Sequence, residues 1–280
     1  MNFSIIKKLI RKVLPSFAIS FITRKREKID LEFANFILNS AIEYSKHIGG
    51  DSTSFDKNLK KLIIKPKNNC NSIIQDVLIA FMPDFERNLF QFYKNQEYLI
   101  FYRFLTYPFQ INMNKYLIPY SLPIEKISVY DVVDYGAGIP YGIIYSLRKK
   151  NHNINSITLI DLDLIHVEFV EFLIKSIAPD VKLNIIKVKN TNNFPLLEGK
   201  FNFFFGKDVF EHLSDPLKNL KELMNYSQPE AVCYFDFRDY GEKIYQHITP
   251  NVDFLSDEMI KLGFKKGKDI YGMTEFTRNT

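Results

Sequence analysis

The stretch Val132-Val133-Asp134-Tyr135-Gly136-Ala137-Gly138-Ile139-Pro140 decides which fold this sequence predicts. It begins as the end of an apolar run typical of a buried strand, and a helical pattern follows directly from Tyr141. Glycines at such a strand-to-helix turn let the backbone approach a ligand closely, and the N-terminus of the following helix offers unpaired N–H groups. We therefore predict a ligand-binding turn between a strand and a helix.

A carboxylate at the end of the next predicted strand strengthens this interpretation. That strand ends in Leu159-Ile160-Asp161-Leu162-Asp163. Asp161 thus stands where the ribose hydroxyls of a nucleoside would need an acceptor. A Gly-x-Gly turn alone is a common pattern, whereas the turn together with Asp161 indicates a nucleoside-binding crevice.

Strand-like runs alternate with helical patterns around these motifs, which predicts a parallel sheet flanked by helices. The predicted strands cover residues 129–134, 156–161, 181–188, 201–205 and 231–237. The predicted helices cover 141–150, 164–177, 216–226 and 254–262, and a closing antiparallel hairpin covers 264–270 and 274–277.

The glycine turn and the two carboxylates resemble the class I S-adenosylmethionine-dependent methyltransferase family, whose first motif is an apolar strand followed by Asp-x-Gly-x-Gly. The resemblance implies an α/β, Rossmann-like methyltransferase sheet with helices on both faces for residues 126–280, and S-adenosylmethionine as cofactor. It implies that the glycines line the methionine portion, that Asp134 supports the amino group, that Asp161 accepts from the ribose and that Asn190 lies near adenine. The implied cofactor-binding set is Asp134, Gly136, Ala137, Gly138, Asp161, Leu162, Asn190 and Asp208.

Two positions depart from the pattern of that family. Pro140 occupies the place of the usual third glycine, and Asn202 stands where many members have Asp in the fourth strand. Neither substitution excludes cofactor binding. They leave open the alternative of a binding or scaffold protein that retains a degenerate cofactor fold.

The segment 205–216, Phe-Gly-Lys-Asp-Val-Phe-Glu-His-Leu-Ser-Asp-Pro, resembles the family's segment after the fourth strand. In some relatives an acidic residue and a Glu-His pair bind a divalent cation there. The resemblance implies that Asp208, Glu211 and His212, with His247 as a fourth ligand, bind Mg or Mn. The alternative is that Glu211 and His212 are structural or contact the cofactor. His212 and His247 are also the candidate catalytic bases for a hydroxyl acceptor.

The acceptor is expected at the end of the fifth strand, where Asp236, Arg238 and Asp239 follow one another closely. Arg238 would pair with an anionic group of the substrate or form a structural salt bridge. The segment 245–264 resembles methyltransferases encoded with surface-glycan pathways. We therefore expect O-methylation of a sugar, a glycan precursor or another small molecule in bacterial cell-surface polysaccharide biosynthesis.

Charge and motif spacing bear on two rival functions. The net charge is +5, but eight Lys or Arg and only two acidic residues fall in the first 30 positions. The remainder has no basic footprint and no base-flipping motif, which argues against a nucleic-acid methyltransferase. An NAD-dependent oxidoreductase has the pattern Gly-x-Gly-x-x-Gly. This sequence has one residue too many between Gly138 and Gly142 for that pattern, which argues against such an enzyme.

The N-terminal part divides into a basic segment, residues 1–28, and a mainly helical region, residues 29–125. The basic segment predicts an amphipathic helix that lies on an anionic membrane surface or docks on the next domain. The helical region would serve as a lid, a substrate-binding domain or a surface for a homodimer. Cys70 and Cys233 have no metal-binding or disulfide spacing, so we expect a cytoplasmic protein, peripheral at the inner face of the membrane if the basic segment binds there.

Overall fold

The computed structural model describes residues 16–48, 94, 101, 104–105, 129–149, 153–189, 194–238, 248–249, 251–270 and 272–278. Side chains are described from residue 32 onward, except that of residue 270. The helices are α1 (Ser16–His47), α2 (Tyr141–Arg148), α3 (Ile165–Ile177), α4 (Pro216–Met224) and α5 (Leu255–Lys261). The strands are β1 (Tyr130–Tyr135), β2 (Ile154–Leu162), β3 (Lys182–Val188), β4 (Phe201–Gly206), β5 (Ser227–Phe235), β6 (Phe264–Ile270) and β7 (Met273–Arg278).

One sheet of seven strands, in the order β3-β2-β1-β4-β5-β7-β6, organises the C-terminal half of the chain. The first five strands run parallel, and β7 is inserted antiparallel between β5 and β6. The central strand β1 sets the register, since Val132 pairs with Ile157 of β2 and with Phe203 of β4. The predicted Rossmann-like methyltransferase sheet, including its antiparallel hairpin, is confirmed.

Side chains of the central strands alternate between two hydrophobic cores, as the period of two in a strand requires. Val132, Phe203 and Tyr234 face one core with α1, α2 and α3. Their chain neighbours Val133, Phe204 and Phe235 face the other core with α4 and α5. Burial on both faces explains why these strands are continuously apolar in the sequence.

Strand β5 is the clearest difference between the predicted and observed elements. It begins at Ser227, whereas the sequence predicted a start at residue 231. The added residues Ser-Gln-Pro-Glu are typical of a loop, but an irregularity in the pairing with β4 accommodates them. Glu230 adopts a left-handed φ of 66° beside Pro229, which is the kind of position where a strand tolerates proline.

The second half of α1 packs directly on the α/β domain. Phe33 and Tyr44 are buried, with ring centroids 5.3 Å from Tyr145 and 5.8 Å from Phe169 respectively. The Tyr44 hydroxyl also donates to Glu168 at 3.2 Å. The boundary expected between residues 28 and 29 lies inside α1. Residues 1–15 and the side chains of 16–31 lie outside the described residues, so the membrane-binding segment stays a prediction.

The structure contains no helix, within the ranges it describes, that is long and apolar enough to cross a membrane.

Candidate functional site

The glycine turn after β1 lies against the segment that follows β4. Gly136 and Gly138 have left-handed φ values of 69° and 52°. The Gly136 N–H donates to the Ile160 carbonyl at 2.8 Å, which fixes the turn to the end of β2. A Cβ added to Gly136 would lie 2.5 Å from Cγ2 of Val209, so only glycine fits there. This contact joins the two motifs that the sequence singled out.

Asp161 closes the same turn from the end of β2. Its Oδ2 accepts from the Gly138 N–H at 2.5 Å, and its Oδ1 accepts from the Leu162 N–H at 2.6 Å. The carboxylate is 15% exposed and therefore borders open space at the edge of the sheet. Backbone donors thus hold one negative charge beside the turn Gly136-Ala137-Gly138, whose only side chain is the methyl group of Ala137, as a nucleoside-binding crevice requires.

Asp134 is the buried carboxyl of the turn, at 2% exposure. Its Oδ2 has no hydrogen-bond partner among the residues that the structure describes. Burial raises the pKa of Asp134 well above its usual range, and the negative charge of Asp161 raises it further. A buried polar atom without a partner is costly, and one beside a ligand-binding turn is a candidate contact for a bound ligand.

Two residues that the sequence did not single out also lie at this turn. His166, five residues after Asp161, is buried and places Nε2 3.4 Å from the Asp161 Oδ2. Phe104 packs on Gly138 and on the His166 ring, with ring centroids 5.0 Å apart. The short spacing from Asp161 could have drawn attention to His166. Phe104 belongs to none of the motifs in the sequence, and its place beside the turn depends on tertiary packing.

The ends of β4 and β5 carry a charged cluster on the other half of the same edge. The Arg238 guanidinium donates from Nε to Oδ1 of the fully buried Asp236 at 2.7 Å, and a second bond joins Nη2 to Oδ2. Nη2 also lies 3.3 Å from Oδ1 of Asp208, whose backbone is left-handed with φ 51°. Arg238 therefore forms a salt bridge, and its side chain is nevertheless 48% exposed at the site.

Glu211 lies beneath this cluster and is almost completely buried. Burial raises the pKa of Glu211 to about 8, and the charges of Asp208 and Asp236 raise it as well, while Arg238 and a backbone hydrogen bond lower it. His212 next to it is partly exposed, with Nε2 3.9 Å from Oε1 of Glu211.

These residues do not fit a cation site. Within the described part of the chain, no group of three or more His, Cys, Asp or Glu side chains is placed to hold a metal ion. Asp208 instead forms ion pairs with Lys207 at 3.6 Å and with Arg238. The prediction that Asp208, Glu211 and His212 bind Mg or Mn is therefore not supported.

Asp215, Pro216 and Asn202 have structural roles. The Asp215 side chain caps α4 by accepting from the Lys218 N–H at 2.9 Å, and Pro216 opens the helix. Asn202 lies at the amino end of β4, where it donates to the Val129 carbonyl at 2.6 Å and accepts from the Asp131 N–H at 2.9 Å. The departure at Asn202 therefore lies at the opposite edge of the sheet from the site.

Asn190, His247 and Asp239 lie outside the described residues, so their expected places near adenine and near the acceptor stay predictions. The neighbouring Thr249 is described, and its N–H donates to the Glu211 carbonyl at 2.9 Å. Thr249 therefore lies next to the charged cluster at the ends of β4 and β5.

Comparison with known proteins supplies matches of structure only. No protein-family profile and no curated protein matches the sequence. A methyltransferase from Aquifex aeolicus, described as dependent on S-adenosylmethionine, matches with TM-score 0.44 and 18% identity over 59% of this chain and 90% of that chain. A methyltransferase from Pyrococcus furiosus matches with TM-score 0.41 and 16% identity over 58% and 83% of the two chains. The YcgJ protein from Bacillus subtilis matches with TM-score 0.43 and 12% identity over 55% and 69%.

The strand order and the antiparallel β7 are those of the Rossmann-like methyltransferase fold. A fold of this kind hosts many activities, so the function has to be argued from the residues of the site.

Proposed function

We propose that this protein binds S-adenosylmethionine at the carboxyl ends of β1 and β2 and transfers its methyl group to an acceptor. The observation that carries the proposal is the Asp161 carboxylate, held across the glycine turn by the Gly138 and Leu162 N–H groups. A fixed acceptor beside a turn whose only side chain is the methyl group of Ala137 suits the two adjacent hydroxyls of a ribose.

The residues of the turn fit this cofactor in two further respects. The left-handed glycines keep the turn tight and leave its backbone half-exposed, so that a ligand can approach the turn. The buried Oδ2 of Asp134 offers an oxygen to the cofactor's ammonium group, which would supply the hydrogen bond and the charge that this atom needs.

The chemistry makes modest demands on the protein. S-adenosylmethionine supplies an activated methyl group with a good leaving group, so the chain's task is to align the two reactants. Asp161 and Asp134 would fix the two ends of the cofactor. Val209 packs on the turn and thereby holds the segment that carries His212 near the proposed cofactor site. Of the two candidate bases, His212 is the one that the structure describes, and it would accept the proton from a hydroxyl acceptor.

For the acceptor we propose a hydroxyl group on a sugar or glycan precursor that carries an anionic group. Support comes from Arg238, which the buried Asp236 holds in place at the end of β5 with half of its side chain exposed. The resemblance of segment 245–264 to glycan-pathway methyltransferases points to the same class. The basic residues within 1–28 would bring such an enzyme to the anionic inner face of the membrane, where these precursors are assembled.

Calorimetric titration with S-adenosylmethionine and with S-adenosylhomocysteine tests the cofactor. We expect micromolar binding by the intact protein and a loss of about 10- to 100-fold in Asp161→Ala, because a hydrogen bond to a charged group contributes about 1.5–3 kcal/mol. Asp163→Ala is the matched control, since Asp163 is a surface residue 3.7 Å from Lys187 and should leave binding unchanged. Failure of the intact protein to bind either compound, or binding of NAD instead, would overturn the proposal.

A further inference from the structure

His166 is a buried imidazole whose position is not accounted for by packing alone. It is the second residue of α3 and only 1% of it is exposed. Its Nε2 faces Oδ2 of Asp161 at 3.4 Å. A carboxylate can only accept, so the nitrogen that faces it carries the proton. Asp161 is therefore held by three donors, of which His166 supplies the only one from a side chain among the residues that the structure describes.

The other ring nitrogen shows what this arrangement costs. Nδ1 of His166 is buried and has no hydrogen-bond partner within the described parts of the chain. Leaving a buried polar atom unsatisfied costs about 1–3 kcal/mol, and an apolar side chain of similar shape would avoid that cost. A residue chosen only to fill this space in the core would therefore not need to be histidine.

Phe104, a residue of the N-terminal region, packs against the imidazole and fixes the plane of its ring. Its ring meets the His166 ring edge-on, at an interplanar angle of 68°. The Phe104 carbonyl accepts from the hydroxyl of Tyr141, the first residue of the helix that follows the glycine turn. Phe104 thus contacts the turn at Gly138 and the first residue of the helix that follows it, and it limits the orientations in which His166 can meet Asp161.

We propose that His166, oriented by Phe104, is a positioning residue that holds the Asp161 carboxylate toward the ribose hydroxyls of the cofactor. The inference rests on the proposed function, because it assumes that Asp161 accepts from a ribose. It adds that affinity for the nucleoside depends on a residue of the N-terminal region, through Phe104, as well as on the α/β domain.

The test uses the intact protein and compares S-adenosylhomocysteine with its 2′-deoxy and 3′-deoxy analogues by calorimetry. In the wild type, removal of the hydroxyl that Asp161 accepts from should weaken binding about 10- to 100-fold. In His166→Phe we expect the parent compound to bind about tenfold more weakly and the penalty for the missing hydroxyl to shrink to about threefold or less. A residue with only a structural role would not change that discrimination between analogues.

Three further variants make the result specific. His166→Gln keeps an N–H donor near the position of Nε2 and should restore affinity to within about threefold of the wild type. His47→Phe is the matched control for the substitution itself, since His47 is an exposed residue that packs on Phe172. Phe104→Leu leaves the imidazole in place but removes the edge-on ring, and should reduce the hydroxyl discrimination even if His166→Phe does not fold.

Unchanged hydroxyl discrimination in His166→Phe, or in Phe104→Leu where the first variant does not fold, would overturn the positioning role and leave the proposed function standing. Absence of binding by the wild type would overturn both. The two failures are therefore distinguishable.

Discussion

The carboxyl edge of the sheet has two halves, which differ in the groups that stabilise their charged side chains. The cofactor half, named for the ligand we propose for it, lies at the ends of β1 and β2 and consists of Asp134, the glycine turn and Asp161. Two backbone N–H groups hold its exposed charge, with the His166 imidazole beside them. The charged half, at the ends of β4 and β5, consists of Asp208, Glu211, Asp236 and Arg238, and side chains hold one another.

The difference explains which half the sequence could reveal. Backbone geometry at a strand end is local, because glycines and the next carboxylate specify it over about 30 residues of a strand–helix–strand unit. A network of side chains depends on partners that converge from separate loops, and each partner alone would fit a solvated surface. The cofactor half should therefore respond to changes of shape, and the charged half to changes of charge and pH.

Gly136→Ala should give the largest loss of stability and tests the dependence of the cofactor half on shape. The alanine would have to keep the left-handed φ of Gly136, and its Cβ would lie 2.5 Å from Cγ2 of Val209. We expect a loss of about 2–5 kcal/mol in the free energy of unfolding, measured with urea. Gly199→Ala is the control, because Gly199 has φ 90° with nothing within 4 Å of an added Cβ, and should lose about 1–2 kcal/mol. Equal losses would contradict the tight contact with Val209.

Arg238→Ala tests whether the two halves are independent. The variant removes the guanidinium from the buried Asp236 carboxylate, and should cost about 2–4 kcal/mol of stability, somewhat less than a fully buried pair because Arg238 is half exposed. S-adenosylhomocysteine should bind within about twofold of the wild type. Adding Asp236→Asn to this variant should recover part of the lost stability. Arg148→Ala is the control, because Arg148 is an exposed arginine over the Phe36 ring and its loss should cost less than about 1 kcal/mol. A loss of affinity in Arg238→Ala similar to that in Asp161→Ala would show that the halves are coupled.

The pH dependence of stability should report on Glu211. Its pKa is raised to about 8 in the folded protein, above an unfolded value near 4.5, so the folded state binds more protons between these values. Its contribution to stability is therefore full below about pH 4.5 and is lost as pH rises to about 8, by at most about 1.4 kcal/mol per pH unit. Glu211→Gln should flatten this slope in urea unfolding between pH 5 and pH 8, whereas Glu198→Gln, at an exposed loop residue, should not. The same slope in wild type and Glu211→Gln would refute the assignment.

Asp215→Ala should give the smallest effect and tests whether the Asp-Pro pair is structural. Loss of the cap on α4 should reduce stability by about 0.5–2 kcal/mol while cofactor affinity stays unchanged. Asp215→Asn keeps an oxygen acceptor and should retain most of the stability. Reduced affinity for S-adenosylhomocysteine in both variants would instead assign Asp215 to the site.

The sequence by itself determined the Rossmann-like sheet and the turn at its centre. Strands that are buried on both faces are continuously apolar, and helices with one buried face have apolar residues every three to four positions. Both patterns can therefore be recognised in a short stretch of sequence. Within residues 126–280, predicted bounds differ from the observed ones by at most two residues, except in β5, where a bulge carries Pro229 into the strand. The N-terminal boundary predicted between residues 28 and 29 instead falls inside α1. The Asp134 to Gly138 turn and Asp161 follow from chain order in the same way.

Only the tertiary structure decided which side chains meet around that turn. His166 has the sequence setting of an ordinary helix residue, and Phe104 lies 57 positions before Asp161, so their approach depends on how the N-terminal region packs on α3. Arg238 was compatible with either a substrate contact or a salt bridge until the buried Asp236 was found to hold it. Packing across the chain, which no local pattern encodes, determines burial and charge pairing, and these in turn determine what each polar residue of the site can do.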